Sequence, residues 1–157
     1  MSHFKIIQLS EEPVNEDNGN QMCDYDINDD PLLNMNSDGW DEADEPDVID
    51  DVRNILSELG KVNKMKKTFK FFKKNKIKEK YIQSMESIFE NWRKKMANGE
   101  ITMAEFQLRT YVREACYVDA LFYYNDYLHG ASQLIADYVA GYLPETLHIG
   151  TIFSCHR

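Results

Sequence analysis

No stretch of this chain approaches the roughly 18 apolar residues needed to cross a bilayer. Its opening, Met1-Ser2-His3-Phe4-Lys5-Ile6-Ile7-Gln8, stops being apolar too soon for a secretory signal. Position 2 is Ser, and the end, Ser154-Cys155-His156-Arg157, lacks a prenylation box. The expectation is an unprocessed soluble protein with no membrane partner. Cysteine is scarce: Cys23, Cys116 and Cys155 are odd in number and widely spaced, which argues against a disulfide framework and for a reducing, cytoplasmic setting. There is no Gly-rich phosphate loop, no G-x-S-x-G, no H-E-x-x-H and no Glu-x-x-His pair on a helix. His3, His129, His148 and Cys155-His156 reproduce no zinc spacing. These absences exclude the familiar hydrolase, nucleotide-binding and di-iron chemistries, so neither an enzyme nor a metal or cofactor is expected. No repeat period appears, which disfavours a solenoid.

Basic side chains are nearly missing from the first 59 residues, where Lys5 and Arg53 stand against seventeen Asp and Glu, a net charge of −15. Residues 61–80 reverse this with ten Lys against Glu79, a net +9. The remainder is close to balanced, so the total of −9 conceals a strong dipole. Such segregation speaks of partners rather than fold. Hydrophobic residues make up 43% of the 157 and aromatics 12%, enough to fill one core, but most lie after position 47. The chain therefore reads as an acidic arm over 1–45 followed by a helical domain over 46–157.

Within the arm, Phe4 to Leu9 suits a short strand, and residues 11–45 are rich in Asp, Glu, Asn and Gly with Pro13 and Pro31, which is turn and loop chemistry. A helix is predicted from about Pro46 to Leu59, where Val48, Ile49, Val52, Ile55, Leu56 and Leu59 form one stripe and Gly60 suits a left-handed stop. The lysine segment continues in helical phase through Val62, Met65, Phe69 and Phe72. The stripe slips near Lys74-Asn75-Lys76, predicting a break, before Tyr81, Met85, Ile88, Trp92 and Met96 resume it as far as Asn98-Gly99. Thr102-Met103-Ala104-Glu105 is a capping box opening a long third helix to about Leu128, and a fourth spans 132–143. The tail from Leu147 to Phe153 suits a strand beside the Phe4 segment. The expected fold is mainly α: a four- to five-helix bundle with an acidic, largely irregular N-terminal arm and a small terminal β pairing.

Two surfaces are candidates for function. In the arm, Asp24, Asp26, Asp29, Asp30, Asp41 and Glu42 offer carboxylates, with Leu32, Leu33 and Trp40 as apolar anchors; this set suits the basic groove of a nucleic-acid-handling protein, which the carboxylates would occupy as phosphates do. The alternative is nucleic-acid binding by Lys64, Lys66, Lys67, Lys70, Lys73, Lys74 and Lys76, interleaved with Phe69, Phe71 and Phe72 for stacking and restrained by the arm. A simple amphipathic helix, with its Phe face buried and its lysines solvated, accounts for the same residues. The pattern Asn34-x-Asn36-x-Asp38-Gly39-Trp40-x-Glu42-x-x-Glu45 matches calcium-loop positions, but Asn opens it, Asp41 replaces the usual apolar residue and Pro31 stands where an entering helix should end. A solvated acidic linker fits it better. The aromatic run Phe122-Tyr123-Tyr124 cannot face one way on a helix, so it implies a second buried face or an exposed patch for a protein partner.

Tyr117-Val118-Asp119-Ala120-Leu121-Phe122-Tyr123-Tyr124-Asn125-Asp126-Tyr127-Leu128-His129-Gly130 is similar to a short stretch near the start of acidic antirestriction proteins that mimic DNA. In that family the stretch opens an N-terminal strand, whereas here it lies in the C-terminal third. Separately, a small acidic protein of this composition fits inhibitors carried by phages or mobile elements.

Overall fold

The computed structural model describes residues 3–23, 40–42, 46–102, 118 and 120–156. Among them the dominant element is a mixed β-sheet rather than a helix bundle. Strands β1 (His3–Ser10), β2 (Trp40–Glu42), β3 (Gly60–Asn63), β4 (Thr68–Phe71), β5 (Ala120–Tyr124), β6 (Tyr127–His129) and β7 (Thr146–His156) alternate with helices α1 (Pro46–Ile55), α2 (Lys74–Ala97) and α3 (Ala131–Val139). Six strands run in the order β3-β4-β7-β1-β5-β6, and β2 pairs with β7 off that path. Two compact units result: residues 1–72 with 118–157, and residues 73–117.

The terminal pairing is real and forms the middle of the sheet. Strand β1 lies antiparallel to β7, from His3 opposite His156 to Ser10 opposite His148, and parallel to β5 on its other side. Alternation along β1 then sorts the core. Phe4 and Ile6 join Met22, Tyr123, Leu128 and Phe153 in one buried cluster, while Ile7 and Leu9 point to the opposite face. That opposite face carries α1 and α3. Phe71 stacks on Tyr138 of α3 with ring centroids 4.1 Å apart, the Tyr138 hydroxyl donates to the Phe72 carbonyl, and Lys5 meets Asp51 of α1 at 3.7 Å. A strand buried on both faces reads as a continuous apolar run, which is why Phe122, Tyr123 and Tyr124 are all buried.

The expected helix ending at Leu128 is therefore replaced, over Ala120–His129, by the β5–β6 hairpin; residues 103–117 of that expectation lie outside the described residues. Its two-residue turn, Asn125-Asp126, has φ of 51° and 68°, the type I′ geometry whose twist matches the flanking strands. The lysine segment before the expected break is likewise a hairpin, β3–β4, not a helix, whereas from Lys74 onward it is helical in α2. Val62 and Phe69, seven residues apart and so in helical phase, are direct cross-strand partners. Gly60 is not a left-handed stop but the first residue of β3, opposite Phe71; α1 ends through a 3₁₀ turn at Leu56–Glu58. The slip near 74–76 marks the passage from strand β4 into helix α2 rather than a kink. Helix α2 then stops where Gly99 takes a φ of 80°.

Candidate interaction surfaces

Gln8 is the buried polar side chain among the described residues, and it organises the entry to the acidic segment. Its Nε2 donates to the Asn20 carbonyl at 2.6 Å, and its Oε1 accepts from Met22 N at 3.0 Å and Thr151 N at 3.1 Å. The β1–β7 register shifts between Ile7 and Leu9, and this irregularity frees Thr151 N for the side chain. Upstream, Asn15, Asn18 and Asn20 knit residues 13–20 together, with Asn18 and Asn20 side chains both donating to the Pro13 carbonyl. Residues 20–22 are thereby fixed to the sheet. On the far side of the acidic stretch, Trp40, Asp41 and Glu42 pair with Cys155, Ser154 and Phe153. Of the predicted partner-binding set, Asp24, Asp26, Asp29, Asp30, Leu32 and Leu33 lie outside the described residues, while Trp40, Asp41 and Glu42 form β2. The calcium-loop pattern also lies outside them except for those three residues.

The predicted nucleic-acid set divides between two elements. Lys64, Lys66 and Lys67 occupy the four-residue tip of the β3–β4 hairpin, and Lys70 lies on β4 directly opposite Lys61. Asn63 shapes the tip, its Oδ1 accepting from Lys66 N at 3.1 Å, and Lys67 takes the left-handed conformation with φ 50°. Met65, between the lysines, is 97% exposed. Acidic residues reach two of these lysines: Asp50 of α1 pairs with Lys64, and Glu145 stands 3.9 Å from Lys70. Phe69 and Phe71 are buried and meet edge to face, 4.7 Å between centroids, so they serve the core and not base stacking. Lys73, Lys74 and Lys76 belong to the other unit, at the N-terminus of α2, where no acid occupies the first turn. Cations there add to the positive end of the helix dipole instead of offsetting it.

Two further polar clusters sit on the helix-bearing face of the sheet. Lys5 Nζ donates to Ser154 Oγ at 3.0 Å with Asp51 beyond it, which lets a lysine occupy a central strand. The Tyr124 hydroxyl donates to Asp137 at 2.6 Å, Gln133 supports the same carboxylate at 2.8 Å, and His129 stacks on the Tyr124 ring. Burial first, then Asp137 as acceptor and as a negative charge, push the Tyr124 phenol well above its ordinary range. Both clusters fasten a helix to the sheet. Among the described residues no three His, Cys, Asp or Glu side chains converge as metal ligands, and no helix is long and apolar enough to cross a membrane. Neither hairpin follows from the helical spacing of its apolar residues. Asn-Asp between two aromatic-rich segments was the local turn signal for one, and Asn63 before a lysine-rich tip was the signal for the other. No protein family, curated protein or solved structure matches this chain, so the similarity of Tyr117–Gly130 to antirestriction proteins rests on that stretch alone.

Proposed function

We propose that the chain is a non-enzymatic interaction protein, an acidic inhibitor or regulator that binds a basic surface of a nucleic-acid-handling protein in the cytoplasm. The observation that carries this reading is the concentration of seventeen carboxylates in the first 59 residues, −15 net, on a chain whose remainder is net +6. A field of that sign accelerates encounter with a basic groove and selects against acidic competitors. Anchoring supports it as well. The sequence between Met22 and Trp40 carries Asp24, Asp26, Asp29, Asp30 and Asp38 and no base, and its two flanks are held on the same sheet by Gln8 and by β7. Fixed flanks lower the ordering entropy that binding must overcome. Leu32, Leu33 and Trp40 supply the apolar contacts, while Asp41 and Glu42 extend the acidic set. Small acidic proteins of this composition suit inhibitors carried by phages or mobile elements.

The test replaces charge without removing chain. Asp24, Asp26, Asp29 and Asp30 changed together to Asn leave length and the described core intact. Capture of basic nucleic-acid-handling proteins from native lysate should fall at least tenfold relative to the wild-type chain. Equal capture by both chains refutes the reading.

A further inference from the structure

We infer that the β3–β4 hairpin is a nucleic-acid-contacting edge of the sheet, in which Lys61, Lys66, Lys67 and Lys70 engage phosphates and Met65 leads into the groove. This goes beyond the acidic surface just described and does not depend on it. Four observations point the same way.

First, the lysine side chains add little to the fold. Lys61 and Lys70 are direct cross-strand partners, and like charges in that relation destabilise a sheet. Glu145 lies 3.9 Å from Lys70, and both side chains are more than half exposed, so that contact contributes little. Second, Lys67 holds a left-handed backbone, φ 50°, which a non-glycine residue adopts only at a cost of about 1–2 kcal/mol. A lysine there places charge at the tip at the expense of stability. Third, Met65 is 97% exposed at the apex between Lys64 and Lys66. A single flexible apolar side chain amid cations is too small for a membrane anchor but suits a wedge at a base step. Fourth, the position fits. Strand β3 ends the strand order and β4 is paired with β7, so the hairpin offers its lysine-bearing face and its tip at the edge of the sheet, where they can lie along a duplex backbone. The core side of this hairpin is spent on Phe69 and Phe71, so recognition is electrostatic and not by stacked bases. Asp50 of α1, paired with Lys64, competes with phosphate at one flank of the tip.

The protein as a whole carries −9, so any affinity for polyanions must arise from a local surface. Fluorescence anisotropy with full-length protein and a labelled 20-base-pair duplex measures it. Four phosphate contacts imply a slope of log affinity against log salt of about −3.6, or roughly 100-fold weaker binding between 50 and 200 mM salt. Lys61, Lys66, Lys67 and Lys70 changed together to Gln should abolish that slope and weaken low-salt binding at least 100-fold. Lys94→Gln with Lys95→Gln, which removes two charges from α2, should change binding less than threefold. Asp50→Asn should strengthen binding severalfold, and Met65→Ala should weaken it while leaving the slope unchanged. The inference is overturned if the wild-type chain ignores duplex at 50 mM salt, if the α2 pair matters as much as the hairpin, or if phosphatidylserine vesicles bind where duplex does not. Failure here is distinguishable from failure of the acidic reading, because the hairpin variant retains capture of a basic protein and the Asp24–Asp30 variant retains duplex binding.

Discussion

The Gln8 side-chain carbonyl accepts a hydrogen bond from the Thr151 amide at 3.1 Å across 143 positions of sequence. The same oxygen takes Met22 N, and the amide nitrogen reaches the Asn20 carbonyl, so one side chain ties β7, β1 and the start of the acidic segment together. Gly150 makes this approach possible, since a Cβ there would lie 2.5 Å from Gln8 Oε1. Gln8→Leu, of nearly equal volume, strands two buried donors and an acceptor and is expected to lower stability by about 3 kcal/mol. Urea unfolding measures the loss, and a change below about 1 kcal/mol would show that these bonds are replaced by water.

Gly60 opens β3 where the neighbouring strand leaves no space. A Cβ at this position would come 2.1 Å from the Lys70 carbonyl oxygen and 2.7 Å from the Phe69 ring. Backbone cannot yield as a side-chain tip does, so Gly60→Ala is expected to destabilise by about 2 kcal/mol or more. Thermal unfolding is the check, and an unchanged midpoint would exclude this strand pairing.

At Lys67 the sign reverses. Replacing a lysine at φ 50° with glycine removes left-handed strain and offsets the entropy that glycine adds to the unfolded chain, so Lys67→Gly should stabilise by about 0.5–1 kcal/mol. Denaturant midpoints compare the two chains directly. A destabilised Lys67→Gly protein would mean that the tip adopts another conformation.

Tyr124 gives the alkaline limb its shape. The native phenol is held above its ordinary value by burial and by Asp137. Below the unfolded value near 10, both states keep the proton and the stabilisation is complete. As pH rises past that value the unfolded chain sheds the proton while the native chain keeps it, so stability falls. Tyr124→Phe should cost about 1 kcal/mol at neutral pH and should flatten the decline between pH 10 and 11. Tyr138, shifted the same way by burial and then Glu145, retains part of the slope. Identical alkaline profiles for Tyr124→Phe and wild type would remove Tyr124 from the account.

Helices with a solvated face were legible in the sequence. Val52 and Leu56 are buried where the α1 stripe placed them, and Tyr81, Met85, Ile88, Trp92 and Met96 form the more protected side of α2. Strands were legible only at the termini, where Phe4 and Ile6 alternate with polar or oppositely facing neighbours. Elsewhere two coincidences hid them. Val62 and Phe69 satisfy a helical interval and a hairpin pairing equally well, because loop length sets one and turn count the other. Phe122-Tyr123-Tyr124 carries no period at all, since a strand covered on both sides needs none. The misfit of those three residues to a single helical stripe was the available clue. For the candidate surfaces, the charge of each segment could be read directly, but the gathering of Lys61 with Lys70 and of Asp50 with Lys64 depends on strand pairing that composition does not encode.

The acidic surface is tested most directly by comparing salt-dependent capture of basic nucleic-acid-handling proteins by the wild-type chain and by the chain with Asp24, Asp26, Asp29 and Asp30 changed to Asn. Capture by the wild type should weaken as salt rises, and the variant should capture at least tenfold less at low salt. Capture that is equal for the two chains and indifferent to salt would contradict the acidic reading.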